Sequence, residues 1–341
     1  MKLYIIGNGF DRAHQLPTSY KDFAKYLSES QPDAYQRIGL LYNHSDENWL
    51  WKDYEANLSN IDIDGCVEKR IDYWNPHSRH DIENLFDTLY HDLQQLFHDW
   101  INTISVDGCE DFLNLSPDDY YITFNYTNVL ERKYHIPRSH ICYIHNDTSN
   151  QTYLRPVIGH GEGYKQIETR VQLHKERVTE IVNRRGKPEW CESEEAYVEF
   201  ILKCFQELIG SLKKLPSNNI AYNTSYFTML NGLKFSEVYI WGHSLADVDV
   251  PYFEKFFSLE SVKFAKWYVS YHGDKERDKL YLKFFKISKL KKLPCMMELG
   301  AKIGPDGTIS RNRRKIYEKR KVADEIQTKD NSIKADYTSE L

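Results

Sequence analysis

The chain has 341 residues, 41% of them hydrophobic and 14% aromatic, with 25 tyrosines and a formal net charge of −5. That length allows two average domains or one large α/β domain carrying helical insertions, and the mild acidity gives no general nucleic-acid signal. Six cysteines, Cys66, Cys109, Cys142, Cys191, Cys204 and Cys295, include no CxxC pair, which argues against structural zinc or a disulfide framework and for buried, reduced thiols. No apolar leader follows Met1 and no run approaches the ~18 apolar residues of a membrane helix, so a cytoplasmic protein with no membrane partner is expected.

The first predicted strand, Lys2 to Ile6, breaks at Gly7-Asn8-Gly9 and runs into Phe10-Asp11. A strand, a glycine turn and a helix in succession form a common phosphate cradle, because glycine brings backbone N–H groups close to an anion at a helix N-terminus. The turn lacks the third glycine of a dinucleotide fingerprint, whose place Arg12 takes. Without further support it also reads as a tight strand-to-helix connection.

Helical spacing follows over 20–28, 48–60 and 78–104, before a second buried strand at Tyr120–Phe124. That strand ends in Asn125-Tyr126-Thr127-Asn128, and the next, Ile141–Ile144, delivers His145. A further short run, 155–158, reads as a strand, and helices are expected over 166–184 and 193–214. Strand Val238–Trp241 then leads through Gly242-His243-Ser244, Asp247 and Asp249 into a helix over 250–257, with last strands at 267–270 and 295–299. Strands alternating with helices predict an α/β fold with a doubly wound, mostly parallel, Rossmann-like sheet. The uneven strand spacing places residues 1–300 in a single α/β domain with helical insertions at about 20–110 and 162–220, followed by a polar, flexible tail over 301–341.

Polar residues directly after buried parallel strands project at the carboxyl rim, where open α/β sheets bind ligands. Asn125 offers both donor and acceptor to a ribose hydroxyl or an attacking water, and His145 suits a general base near neutral pH. Each has a plain structural alternative, a turn or cap for Asn125 and a packed core histidine for His145. Gly242 to Ala246 mimics a hydrolase nucleophile elbow, but His272 is the only later histidine and no oxyanion-loop glycine cluster precedes it. Ser244 reads better as a phosphate or ribose contact, with Asp247 or Asp249 capping the helix or touching ribose.

The ordered set Ile5-Ile6-Gly7-Asn8-Gly9-Phe10-Asp11, Ala13-His14, Leu16-Pro17-Thr18-Ser19-Tyr20, Phe23, Trp51, Asp53, Glu55, Leu58, Phe124-Asn125-Tyr126-Thr127, Ile144-His145, Gly242-His243-Ser244 and Asp249 resembles the AbiH family of bacteriophage abortive-infection proteins over residues 1 to about 300. The same succession is more distantly similar to sirtuin-like NAD-binding domains. That resemblance implies Asn125 and His145 as the catalytic pair in nicotinamide–ribose cleavage. It implies Gly7, Asn8, Gly9, Phe10 and Asp11 near the phosphates and Ser244 near the dinucleotide, and with Tyr126, Gly242, His243, Asp247 and Asp249 these make up the expected nucleotide-binding rim. Asp11 stands where small hydroxyl residues are common in sirtuin-like chains, and Asn146 where glycine usually follows the histidine.

The expectation is therefore a cytoplasmic antiphage protein with a sirtuin-like pocket that binds, and as an enzyme hydrolyses, NAD or a related nucleotide, with no metal. A phage or host protein is the expected trigger, nucleic acid is not favoured as a ligand, and homo-oligomerisation is left open. Two alternatives stand beside it: a metal-dependent nuclease drawing on Asp11, Asp53, Glu55, Asp247, Asp249 and the histidines, and a non-catalytic nucleotide-sensing or interaction module.

Overall fold

The computed structural model describes residues 1–42, 49–70, 92–109, 113–146, 156–289 and 294–298. Among them, six short buried runs form one all-parallel sheet: β1 (Lys2–Ile6), β2 (Tyr120–Thr123), β3 (Ile141–Tyr143), β4 (Glu237–Trp241), β5 (Lys266–Tyr271) and β6 (Cys295–Glu298). The strand order is β3-β2-β1-β4-β5-β6, the order of Rossmann-type sheets. In the central register Ile5 lies beside Ile122 on one side and Ile240 on the other.

Alternation along the strands sends the side chains to two distinct layers. Leu3, Ile5, Ile122, Val238, Ile240, Trp267 and Val269 pack with apolar residues of helices Thr224–Asn231, Val250–Phe257 and Asp274–Ser288. On the opposite face Tyr121, Tyr4, Tyr239 and Tyr268 stack across four strands, with ring centroids 5.1, 5.0 and 4.6 Å apart. Such cross-strand aromatic pairs stabilise a sheet and fix its register.

Two long connections supply a second core. Between β1 and β2 run helices Asn8–Ala13, Tyr20–Ser30, Pro32–Leu41, Trp49–Lys52, Tyr54–Asn57, Ile63–Arg70 and 92–103; between β3 and β4 run Tyr164–Gln172, Lys175–Arg185, Glu194–Ser211, Pro216–Tyr222 and Thr224–Asn231. Phe23, Trp51, Tyr54 and Phe97 from the first set share one buried cluster with Ile167, Val178, Phe205 and Leu208 from the second. Ser19 starts Tyr20–Ser30 with a capping box, its hydroxyl accepting from the Asp22 N–H while Asp22 accepts from the Ser19 N–H. Thus both connections build the wall that faces the sheet rim through Tyr126.

Several expectations are revised. Residues 156–158 are irregular, since Pro156 has no N–H and the Val157 N–H donates to His145 O at 2.9 Å instead of to a strand. The helical pattern over 166–184 breaks at Leu173-His174, and that over 48–60, described from residue 49 on, breaks at Asp53. Cys109 and Cys295 are partly exposed while the other four thiols are buried, and no disulfide joins them. Met1–Gly300 forms one contact unit; residues 78–91 of the helix expected over 78–104, and the tail expected over 301–341, lie outside the described residues. No helix among the described residues is long and apolar enough to cross a membrane.

Candidate functional site

The chain winds outward from β1 to β3 and then resumes at β4 on the other side of β1. A crevice opens at the carboxyl ends of the strands wherever such a reversal occurs. Here it is a cleft of about 640 Å³, walled by the segments after β1, β2, β3, β4 and β5 and by Tyr20, Asp53, Glu55, Phe97 and Ile101 from the helical connection.

At its floor the two loops of the reversal lie backbone on backbone. The Gly7 N–H donates to Trp241 O at 2.9 Å and the Gly9 N–H to Gly242 O at 2.8 Å. A Cβ on Gly9 would sit 2.8 Å from Gly242 Cα, and one on Gly242, whose φ is +67°, only 2.2 Å from the Phe10 nitrogen. Close packing therefore requires these glycines, and the amides of Gly7 and Gly9 are spent on protein carbonyls. The Asn8 side chain is likewise engaged, donating to Thr18 O at 2.8 Å and accepting from the Thr18 hydroxyl at 2.6 Å.

Asp11 is buried, and it caps no helix; Gly7 holds the N-cap position. Asn125 Nδ2 donates to Asp11 Oδ1 at 2.8 Å and to Gly7 O at 3.1 Å, while the Thr127 hydroxyl donates to Asp11 Oδ2 at 2.7 Å. Burial pushes the Asp11 carboxyl up to about 6 against these hydrogen bonds. With its amide nitrogen committed, Asn125 keeps Oδ1 without a hydrogen-bond partner, although the residue is only 6% exposed and lines the cleft.

His145 leaves β3 through a turn in which Asn146 takes φ +63°, a left-handed conformation that Asn tolerates better than most residues. The ring meets Phe124 edge to face at 5.1 Å and hydrogen-bonds the Phe124 backbone, which leaves Nε2 without a hydrogen bond. Donation to a carbonyl assigns the proton to Nδ1 and the lone pair to Nε2. Burial, with the charge of Lys214 and then His243, holds the ring well below the usual histidine range. His243, which also packs on Phe124, accepts from the Leu245 N–H at Nδ1 (2.9 Å), and burial brings it down to about 3.

Both histidines face one carboxylate. Asp249 holds the N-cap position of Val250–Phe257 yet makes no cap bond, and its oxygens turn inward: Oδ1 lies 3.8 Å from His145 Nε2 and Oδ2 lies 3.5 Å from His243 Nε2. Behind it stands Lys214, with no exposed side-chain surface, its Nζ 3.6 Å from Asp249 Oδ1 and 2.8 Å from Glu55 Oε1. Burial raises the pKa of both carboxyls while the ammonium lowers it; burial also opposes the charge on Lys214, but the two carboxylates outweigh it and its pKa rises. The ammonium fills the space between Glu55 and Asp249 where a cation would bridge them. Among the described residues no group of three or more His, Cys, Asp or Glu has an arrangement able to hold a metal ion.

Of the residues singled out in the sequence, Gly7, Asn8, Gly9, Asp11, Asn125, Tyr126, His145, Gly242, His243, Ser244 and Asp249 line this cleft. Phe10 does not, because its helix turns the ring inward against His14 and Tyr134; Asp247 does not, because it opens a 3-10 turn on the exposed side. Lys214 was absent from the expectation, since a lysine ahead of Leu215-Pro216 carries no pattern. Ser270, which accepts the Gly242 N–H at 2.7 Å, was missed for the same reason.

Fold and site together define a Rossmann-like α/β protein with a buried, acceptor-rich polar cleft at the switch point of its sheet. Residues 3–271 match the family model described as bacteriophage abortive infection AbiH, and the chain belongs to that family. Membership supports an antiphage abortive-infection role. No curated protein and no solved structure matches the chain.

Proposed function

We propose that the switch-point cleft binds NAD or a related nucleotide in the cytoplasm and cleaves its N-glycosidic bond, and that this turnover is the antiphage activity. The observation that carries the reading is the chemistry of three buried atoms. Asn125 Oδ1 and His145 Nε2 are acceptors without a hydrogen bond, and Asp249 Oδ1 has only the Lys214 ammonium, at 3.6 Å. Their natural partners are donors, such as ribose hydroxyls or an attacking water; a phosphate at neutral pH has little to offer them.

In the proposed reaction the bond between ribose C1′ and the nicotinamide nitrogen breaks, and its electron pair leaves with nicotinamide. Positive charge builds on the ribose near the Asp249 carboxylate, an arrangement that stabilises it electrostatically. Asn125 orients a ribose hydroxyl or the water. The water oxygen bonds to C1′ and its proton passes to His145 Nε2, which the low pKa of this ring keeps vacant at neutral pH. ADP-ribose and nicotinamide are the products from NAD.

Purified protein incubated with NAD, with and without a phage-derived trigger, tests this by release of free nicotinamide. Turnover that disappears in folded Asn125→Ala and His145→Ala proteins is the expected result. Absence of nicotinamide release under both conditions overturns the enzymatic reading, and continued arrest of infected cells by those variants points to nucleotide sensing without turnover.

A further inference from the structure

Lys214 has no place in the reaction above, yet it is the largest fully buried charged side chain of the described residues. It belongs to none of the rim segments. It follows helix Glu194–Ser211 of the second helical connection, where its N–H donates to His160 O at 2.9 Å while the His160 N–H donates to Leu212 O at 3.0 Å. That backbone latch fixes the ammonium at the back of the cleft.

One oxygen is shared: Asp249 Oδ1 lies 3.6 Å from Lys214 Nζ and 3.8 Å from His145 Nε2. The two nitrogens compete for the same carboxylate, and two carboxylates, Glu55 and Asp249, compete for one ammonium. We infer that Lys214 is a positioning residue: it occupies the Asp249 and Glu55 carboxylates so that neither draws a proton onto His145, and His145 stays a free base. The inference rests on the role of His145 proposed above. It also gives the helical connection a part in the chemistry, since the site lacks its cation without it.

The charge logic is explicit. With Lys214 present, a second cation beside Asp249 is disfavoured, and the ring remains neutral. Remove the ammonium, and two buried carboxylates lose their ion-pair partner; protonated His145 then becomes the group that neutralises Asp249. The other titratable or charged groups facing this pair are Glu55, His243, Lys283 and the hydroxyls of Tyr20, Tyr126 and Tyr252. Burial holds the Tyr20 and Tyr252 hydroxyls above their usual range and His243 below its own, and Lys283 donates to Leu245 O at 2.9 Å, so none of them replaces Lys214.

Histidine-labelled protein, with the His145 signal assigned by its loss in His145→Gln, allows the titration to be followed by NMR without any nucleotide. The expected result is a His145 midpoint below the ordinary histidine range in the native chain and in Lys214→Arg, and a midpoint raised by about one pH unit or more in Lys214→Met. Should Lys214→Met fail to fold, Lys214→Met/Glu55→Leu removes both buried partners together, a change that proteins often accept, and the same upward shift is expected. An unchanged His145 midpoint in the folded variant overturns the role of Lys214. Because this titration needs no turnover, it fails independently of the nicotinamide-release assay, whose failure instead removes the reaction.

Discussion

Asn125 and Asp11, 114 residues apart in the chain, are joined by a buried hydrogen bond of 2.8 Å from Nδ2 to Oδ1. The bond decides which end of the amide faces the cleft: with Nδ2 held by Asp11 and by Gly7 O, the oxygen is the free end. An aspartate in the first turn of the helix after a glycine loop thus serves the second strand's asparagine. Thr127 completes the clamp at 2.7 Å, so the carboxylate orders the whole segment after β2.

Removing the clamp should cost both stability and function. In Asp11→Ala the Thr127 hydroxyl loses its charged acceptor and Asn125 keeps only Gly7 O, a loss of about 2–4 kcal/mol for two buried hydrogen bonds to a carboxylate. Urea unfolding of the variant checks this. Under the proposed reaction, turnover falls at least about tenfold as the freed amide samples other orientations; turnover equal to that of the native protein argues that Asn125 orientation is irrelevant.

The same carboxyl makes stability depend on pH. Its pKa rises from 3.8 to about 6 on folding, so between these values the folded chain holds a proton that the unfolded chain releases. The contribution to stability is therefore fully present below pH ~4 and is lost as pH rises through about 6, amounting to ~3 kcal/mol at ~1.4 kcal/mol per unit. The difference in unfolding free energy between the native protein and Asp11→Asn should shrink or reverse from pH 5 to pH 7. A constant difference across that range would show that Asp11 does not titrate there.

Gly242→Ala is expected to be among the most damaging single substitutions on the rim. Its φ of +67° disfavours an L side chain, and the new Cβ would lie 2.2 Å from the Phe10 nitrogen, a backbone atom that cannot swing away. Strain and clash together cost more than about 3 kcal/mol, read as a collapse of soluble, folded protein or a large drop in denaturation midpoint. Gly39→Ala, with nothing near its Cβ, is the control that should leave the midpoint unchanged or raise it.

The strands were legible because a strand buried on both faces must be written as a short apolar run, and Leu3–Ile6, Tyr120–Thr123 and Val238–Trp241 are such runs. Rim placement of Asn125, His145 and Gly242–Ser244 followed from the parallel order alone. The glycine turn was legible only in part, because sequence displays glycine's freedom but not the loop packed against it; the Gly9–Gly242 approach shows what the missing side chains make room for. Lys214 was invisible for a different reason. A lone charge is buried or exposed according to partners elsewhere in the chain, and its partners Glu55 and Asp249 lie in other segments.

Phe23 tests whether the helical wall supports the site. Fully buried, it touches Trp51, Tyr54, Phe97 and Trp100 ring to ring at 6.0, 6.1, 5.2 and 5.1 Å. Phe23→Ala should cost about 3–5 kcal/mol in thermal or urea unfolding. Tyr54 adjoins Glu55, so the milder Phe23→Leu should also disturb the Lys214 ion pair and thus the His145 titration; an unaltered titration would mean that the wall and the charge cluster are independent.

Ser270 provides the most local test of the rim. Its buried hydroxyl accepts the Gly242 N–H at 2.7 Å, holding the loop after β4 against the end of β5. Ser270→Ala leaves that N–H without its acceptor, a cost of about 1–3 kcal/mol. Ser270→Thr restores an oxygen at the price of one methyl group, so it should recover part of the loss if the hydrogen bond matters. Because the Gly9 N–H binds the carbonyl of the same Gly242, hydrogen exchange at Gly9 and Gly242 should accelerate together in Ser270→Ala. Acceleration at Gly242 alone would instead show that the Gly9–Gly242 contact stands without help from β5.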